Sequence, residues 1–267
     1  MSPATSKSAH IVRQVLVLVA VIATIVFNGL SQAIPIGNQT SADVSNRYPT
    51  YFTPANYAFA IWGVIYILMI VYGVYQALPS QRENPRAIKI AWLFILTCIL
   101  NCVWIVLFQT EQLALSLVVI LAFLLTLIAI YLRLDIGKGT ASNGDRWCLQ
   151  LPFSVYLGWV SVATIANVSL LGVAQNWGDL FGIPASTWSA IMLVVATVLG
   201  LIMTFTRRDV GYVAVFIWAF VAIINKQAAV PLITTTALIA VNVLLIAAIV
   251  SVVMRMRPPQ QLRPTGA

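Results

Sequence analysis

Three stretches of this chain interleave aromatic and amide side chains. Tyr57, Phe59, Trp62 and Tyr66 form the first, Asn101 and Trp104 the second, and Tyr156, Trp159 and Asn167 the third. Indole and phenol rings offer flat faces to a flat apolar molecule, and a few carboxamides can orient it by hydrogen bonds. This set is the candidate ligand-binding site. The simpler account of the same pattern is ordinary bundle packing, with Asn and Ser as interhelical glue. Periodicity alone does not separate the two.

Other chemistry has little to work with. There is no P-loop, no GxSxG, no HExxH and no Gly-rich dinucleotide motif. The only histidine is His10, so a histidine-ligated haem or zinc site has no ligands within the helices. Cys98 and Cys102 lie four apart and could share a soft metal, but buried cysteines usually act as small hydrophobes. No catalytic residue, metal or resident cofactor is expected. Porphyrin or haem would be a bound ligand.

The elements that carry these residues are membrane helices. Hydrophobic residues make up 61% of the chain and charged ones 8%, with a mean hydropathy of +0.94; soluble domains carry about 25% charge. The fold class is therefore all-α, a polytopic membrane helical bundle. Spans need about 20 mostly apolar residues. Eight are read: Ile11–Leu30, Tyr57–Ala77, Ala87–Phe108, Leu113–Leu134, Cys148–Val173, Trp188–Thr206, Val210–Asn225 and Val230–Met254. The seventh is short. The first follows Lys7, His10 and Arg13 but is longer than the ~7–15 residues of a signal-peptide core, so it is read as a retained span. In the second, Phe59, Trp62, Tyr66, Met69 and Gly73 recur at helical spacing and define one face.

A net charge of +8 and a pI near 9.7 would suggest nucleic acid in a soluble protein. Here the excess marks one side of the membrane, and no nucleic-acid partner is expected. With the N-terminus inside, every Lys and Arg except Arg47 and Lys226 falls on the inner side, including Arg255, Arg257 and Arg263 of a Pro- and Gln-rich tail read as frayed. Both termini are therefore expected in the cytoplasm, and a bacterial inner membrane fits best. Ser31–Thr53, the longest connection, reads as a lid or binding element. Its Gly37–Ser41 section reads as a solvated connector and its Tyr48–Phe52 end as packing at the interface or over a pocket.

These motifs carry a resemblance. Pro54, Phe59, Trp62, Tyr66 and Met69 stand where the second helix of the TspO/MBR family (translocator protein, or tryptophan-rich sensory protein) has Pro, W-x-F, V-W, L-Y and M. Asn101, Trp104 and Phe108 match its N-x-x-W and following Phe. Tyr156, Trp159, Val160, Ser161, Ala163, Thr164 and Asn167 match P-Y-x-x-W-V-S-x-A-T-x-x-N at identical spacing. The resemblance covers about residues 11 to 174. It differs at Tyr57, where the family has Trp, at Val155 in place of Pro, and at Val118-Val119, where many members carry an acidic residue.

It implies two parts: a five-helix domain over 1–174, and three additional spans with a short cytoplasmic tail over 175–267. It also implies a porphyrin- or sterol-binding pocket lined by Tyr57, Trp62, Asn101 and Trp159 and closed by the first loop, in contact with membrane lipids. Family members commonly dimerise through the third helix, where Ala87 and Ala91 form a small-xxx-small pair. The leading expectation is a non-enzymatic sensor or carrier of tetrapyrroles or similar apolar molecules. The alternatives are a passive transporter of lipids or tetrapyrroles, and a light-dependent porphyrin-degrading enzyme.

Overall fold

The computed structural model describes the backbone of residues 3–256 and the side chains of residues 7–254. The side chain of Arg255 and the tail from Arg257 lie outside the described residues. All regular structure among the described residues is helical: α1 (Pro3–Ala33), α2 (Ser41–Arg47), α3 (Ile61–Ala77), α4 (Pro85–Gln109), α5 (Leu113–Arg133), α6 (Asn143–Asp145), α7 (Leu151–Ala174), α8 (Ala185–Ile202), α9 (Val210–Lys226) and α10 (Pro231–Met256). A π-helical turn, Arg146–Gln150, joins α6 to α7, and another, Met203–Arg207, ends α8.

Seven of these segments are long and apolar enough to cross a membrane. The eighth expected span, α9, is a shorter apolar helix of 17 residues, about 25 Å long against a hydrocarbon core of about 30 Å. It is a multi-pass integral membrane protein. One face of α9, including Val213, Phe216, Ala219, Phe220 and Ile223, is fully buried between α7 and α10.

Caps fix the helix starts. The Asn84 side chain accepts from the Arg86 amide ahead of Pro85 at the start of α4, and Asp209 accepts from the Tyr212 amide at the start of α9. Helices α1, α4, α5, α7 and α3 close a ring, each packed on the next and α3 back on α1. Helix α9 packs on the outside of α7, and α10 packs on both α9 and α8. Helix α3 lies close on α1 at Gly73, where a Cβ would lie 3.1 Å from Val21 Cγ2.

Two expectations are corrected. The second span does not begin as an α-helix at Tyr57, because Asn56–Ala60 is a 3-10 turn and α3 starts at Ile61. The Gly37–Ser41 section is a solvated connector only at Gly37 and Asn38, which are exposed. Gln39 and Ser41 are buried, since Gln39 Nε2 donates to the Gln109 carbonyl at 2.8 Å and to Glu111 Oε1 at 2.7 Å.

Candidate functional site

Trp62, in the first turn of α3, is the centre of the aromatic set. Its ring stacks on Tyr66 at 5.9 Å and lies 6.2 Å from Trp104 of α4. It meets Tyr156 and Trp159 of α7 edge-on at 6.1 and 6.3 Å. Phe59 meets Trp159 edge-on at 6.2 Å, and Trp104 stacks on Phe108 at 5.1 Å. Offset and edge-to-face arrangements of this kind are the favoured ones for aromatic rings. Helical spacing explains the walls: Trp104 and Phe108 are one turn apart on α4, while Trp159, Ala163, Ala166, Asn167 and Leu170 follow one face of α7.

These rings surround a cavity of about 30 Å³ lined also by Ser45 and Pro54. Ligand pockets for drug-sized molecules hold about 300–1,000 Å³. A tetrapyrrole would therefore enter only if Trp62 or the covering segment moved aside.

Among the candidate residues, Phe59, Trp62, Trp104, Trp159 and Asn167 line this cavity. Tyr57 points elsewhere. It is 41% exposed, meets Trp218 edge-on at 5.4 Å, and its hydroxyl accepts from Asn225 Nδ2 at 2.6 Å. Tyr66, Asn101 and Tyr156 stand behind the lining. Tyr66 donates to Asn28 Oδ1 at 2.5 Å, and Asn28 Nδ2 donates to Asn101 Oδ1 at 2.7 Å. Asn167 and Ser116 pair at 3.2 Å across α7 and α5. Asn28 was missed in the sequence. Its signal is Thr24 and Asn28 one turn apart in an aliphatic run, with Asn28 Nδ2 also donating to the Thr24 carbonyl at 2.8 Å.

Four polar groups in and behind the cavity wall are unusual. Asn101 Nδ2, Trp104 Nε1, Trp159 Nε1 and the Tyr156 hydroxyl are buried and have no hydrogen-bond partner among the described residues. Buried polar groups are nearly always paired, and the cost of leaving one unpaired is high in an apolar medium.

The segment over the cavity is a folded lid. A capping box between Thr40 and Asp43 starts α2, and Phe52 and Thr53 are fully buried. One side is latched to the α4–α5 turn. There Glu111 is in an ion pair with Arg47 and accepts from Tyr48 at 2.5 Å and from Gln39. The bonds from Tyr48 and Gln39, with the charge of Arg47, hold the Glu111 carboxyl below its ordinary value. The bond to Glu111 pushes the Tyr48 phenol up. The other side is latched to α9. Lys226 Nζ donates to Asn46 Oδ1 at 2.6 Å, Gln227 Nε2 to the Thr50 carbonyl at 2.9 Å, the Ala55 amide to the Ala222 carbonyl at 3.0 Å, and Trp218 Nε1 to the Ala58 carbonyl at 3.1 Å.

A family model described as TSPO-like protein matches residues 14–250, running through the last three helices as well as the first five. No curated protein and no solved structure matches the chain.

Proposed function

We propose, for a chain that belongs to the TSPO-like family, that the cavity around Trp62 binds a flat apolar ligand of tetrapyrrole or sterol type. The protein then acts as a membrane sensor or carrier without doing chemistry on the ligand. The observation that carries this reading is the pair of unpartnered donors, Trp104 Nε1 and Trp159 Nε1, on side chains that line the cavity. A ligand with acceptor atoms on a flat apolar body would satisfy those donors while stacking on Trp62 and Trp104. The small size of the cavity supports a gated site, with the Ser41–Thr53 segment lifting before a ligand of that size is admitted. The distribution of Lys and Arg supports a bacterial inner membrane with both termini in the cytoplasm and the lid on the outer side. A cysteine placed at Asn46 in a cysteine-free background should then react with an impermeant maleimide from outside, and one placed at Asn143 should not.

Protoporphyrin titration of the protein in nanodiscs, followed by tryptophan quenching, tests the function. Wild type should quench saturably. Trp62→Ala and Trp159→Ala should each weaken binding by roughly tenfold, the loss of a ring contact of about 1.5 kcal/mol. Circular dichroism checks that the variants stay folded. No saturable quenching in wild type, or wild-type affinity retained by both variants, would remove the ligand from this cavity and return the aromatic set to packing.

A further inference from the structure

At the opposite end of the bundle from the lid lies a second, larger concavity of about 860 Å³. Two segments form most of it, with Ser154 and Met254 at its sides. One runs from Ile136 to Leu151 and carries Lys138 and Arg146; the other is the α8–α9 turn, with Arg207 and Arg208. Both segments leave regular α-helical geometry here. Arg146–Gln150 and Met203–Arg207 are π-helical turns, a distortion frequent at functional sites. The segments are fitted together at Gly137, which has φ 77°, and a Cβ there would lie 1.6 Å from the Arg207 carbonyl oxygen. Only glycine permits both that backbone and that approach. Arg207 reaches back across the joint, with Nη1 3.5 Å from the Ile136 carbonyl and its guanidinium 5.8 Å from the centre of the Tyr131 ring.

The concavity is strongly cationic. Among the described residues Asp209 is the one carboxylate in its lining, and both its oxygens are engaged, Oδ2 by Ser154 Oγ at 2.6 Å and Oδ1 by the Tyr212 amide at 3.1 Å. Lys138 and Arg146 are exposed and in no ion pair among the described residues. Beside them Trp147 is 67% exposed, and such indoles sit where hydrocarbon gives way to headgroups. A general inward excess of positive charge needs no concavity, no pair of distorted helix ends and no glycine joint.

We propose that this groove binds a phosphate-bearing anion. Cations on two facing walls suit a tetrahedral polyoxyanion, and Arg presents a fork that matches phosphate oxygens. Two sources carry that chemistry at this depth: the headgroup of an anionic membrane lipid and a soluble phosphate compound. The inference is independent of the aromatic cavity.

The test compares wild type, Lys138→Gln/Arg146→Gln, and Lys7→Gln/Lys89→Gln, which removes equal charge from the same end of the bundle but outside the groove. Each is placed in phosphatidylcholine nanodiscs with and without phosphatidylglycerol, and in phosphatidylcholine nanodiscs with inorganic pyrophosphate. Retained lipid is read by native mass spectrometry and thermal stability by the unfolding midpoint. Phosphatidylglycerol retention by wild type and Lys7→Gln/Lys89→Gln, with a roughly tenfold or greater loss in Lys138→Gln/Arg146→Gln, supports the site and assigns the lipid headgroup. Pyrophosphate stabilisation lost in that same groove variant supports the site and assigns a soluble source. Equal losses in the two double variants, or no effect of either ligand on wild type, overturn the proposal.

Discussion

Replacing Asn28 by Ala removes the polar node that joins α1 to α3 and α4. Two interhelical bonds disappear, Tyr66 hydroxyl to Asn28 Oδ1 and Asn28 Nδ2 to Asn101 Oδ1. In water-soluble proteins, stranding two buried partners would cost about 2–6 kcal/mol, at about 1–3 each. Within a bilayer the separated helices also find other partners, and interhelical bonds average about 0.6 kcal/mol with a maximum near 1.7. The bilayer figure governs here, so Asn28→Ala should lose about 1.2 kcal/mol, with an upper bound near 3.4. The clean measurement is a double-mutant cycle with Tyr66→Phe, using unfolding free energies from steric trapping. The coupling should fall between about 0.6 and 1.7 kcal/mol. Thr236→Ala in α10, whose hydroxyl bonds only within its own exposed turn, should change little. Coupling below about 0.3 kcal/mol, within the ordinary error of additivity, would refute the claim that this bond ties α1 to α3. Since Tyr66 stacks on Trp62, Asn28→Ala should also weaken ligand quenching, through disorder of the wall rather than loss of a contact.

The Glu111 latch makes the lid acid-sensitive. Its carboxyl titrates below the ordinary 4.5 when bonded to Tyr48, Gln39 and Arg47, so the latch is complete above that value and is lost as pH falls through the lowered one. Hydrogen exchange over residues 41–53 should rise only on that acid side, and Glu111→Gln should raise it at neutral pH. Gly137→Ala should destabilise the protein by about 1–3 kcal/mol through backbone strain alone, with more from displacing the Arg207 carbonyl; an unchanged thermal midpoint would mean the joint is looser than drawn. Trp218→Phe deletes the bond to the Ala58 carbonyl and should lose about 1 kcal/mol, with faster exchange confined to residues 55–60.

The spans were legible because a helix in hydrocarbon must be apolar along its length. Helical spacing likewise puts Trp104 with Phe108, and Trp159 with Asn167, on common walls. Tyr57 departs from its expected direction because Asn56–Ala60 is a tighter turn, which rotates it towards Trp218. Asn28 was not legible: one amide in an aliphatic run acquires meaning only from Asn101, 73 residues later. Gln39 read as solvated because its partners, Gln109 and Glu111, are 70 and 72 residues away. The burial of α9 left no mark either, since an apolar helix has the same composition against lipid as against protein.

The hold of α9 on the lid also sets a clock. Trp218 follows Ala58 by 160 residues, about 8–32 s of synthesis at 5–20 residues per second. The ring of α1, α3, α4, α5 and α7 is complete only once Ala174 is made, so for the last ~44 residues of that interval, about 2–9 s, it stands finished while one edge of its cover has nothing to fasten to. The cover is thus held first by its Glu111 edge alone and gains its second fastening only when α9 arrives, which on the proposed function is a window for loading a ligand.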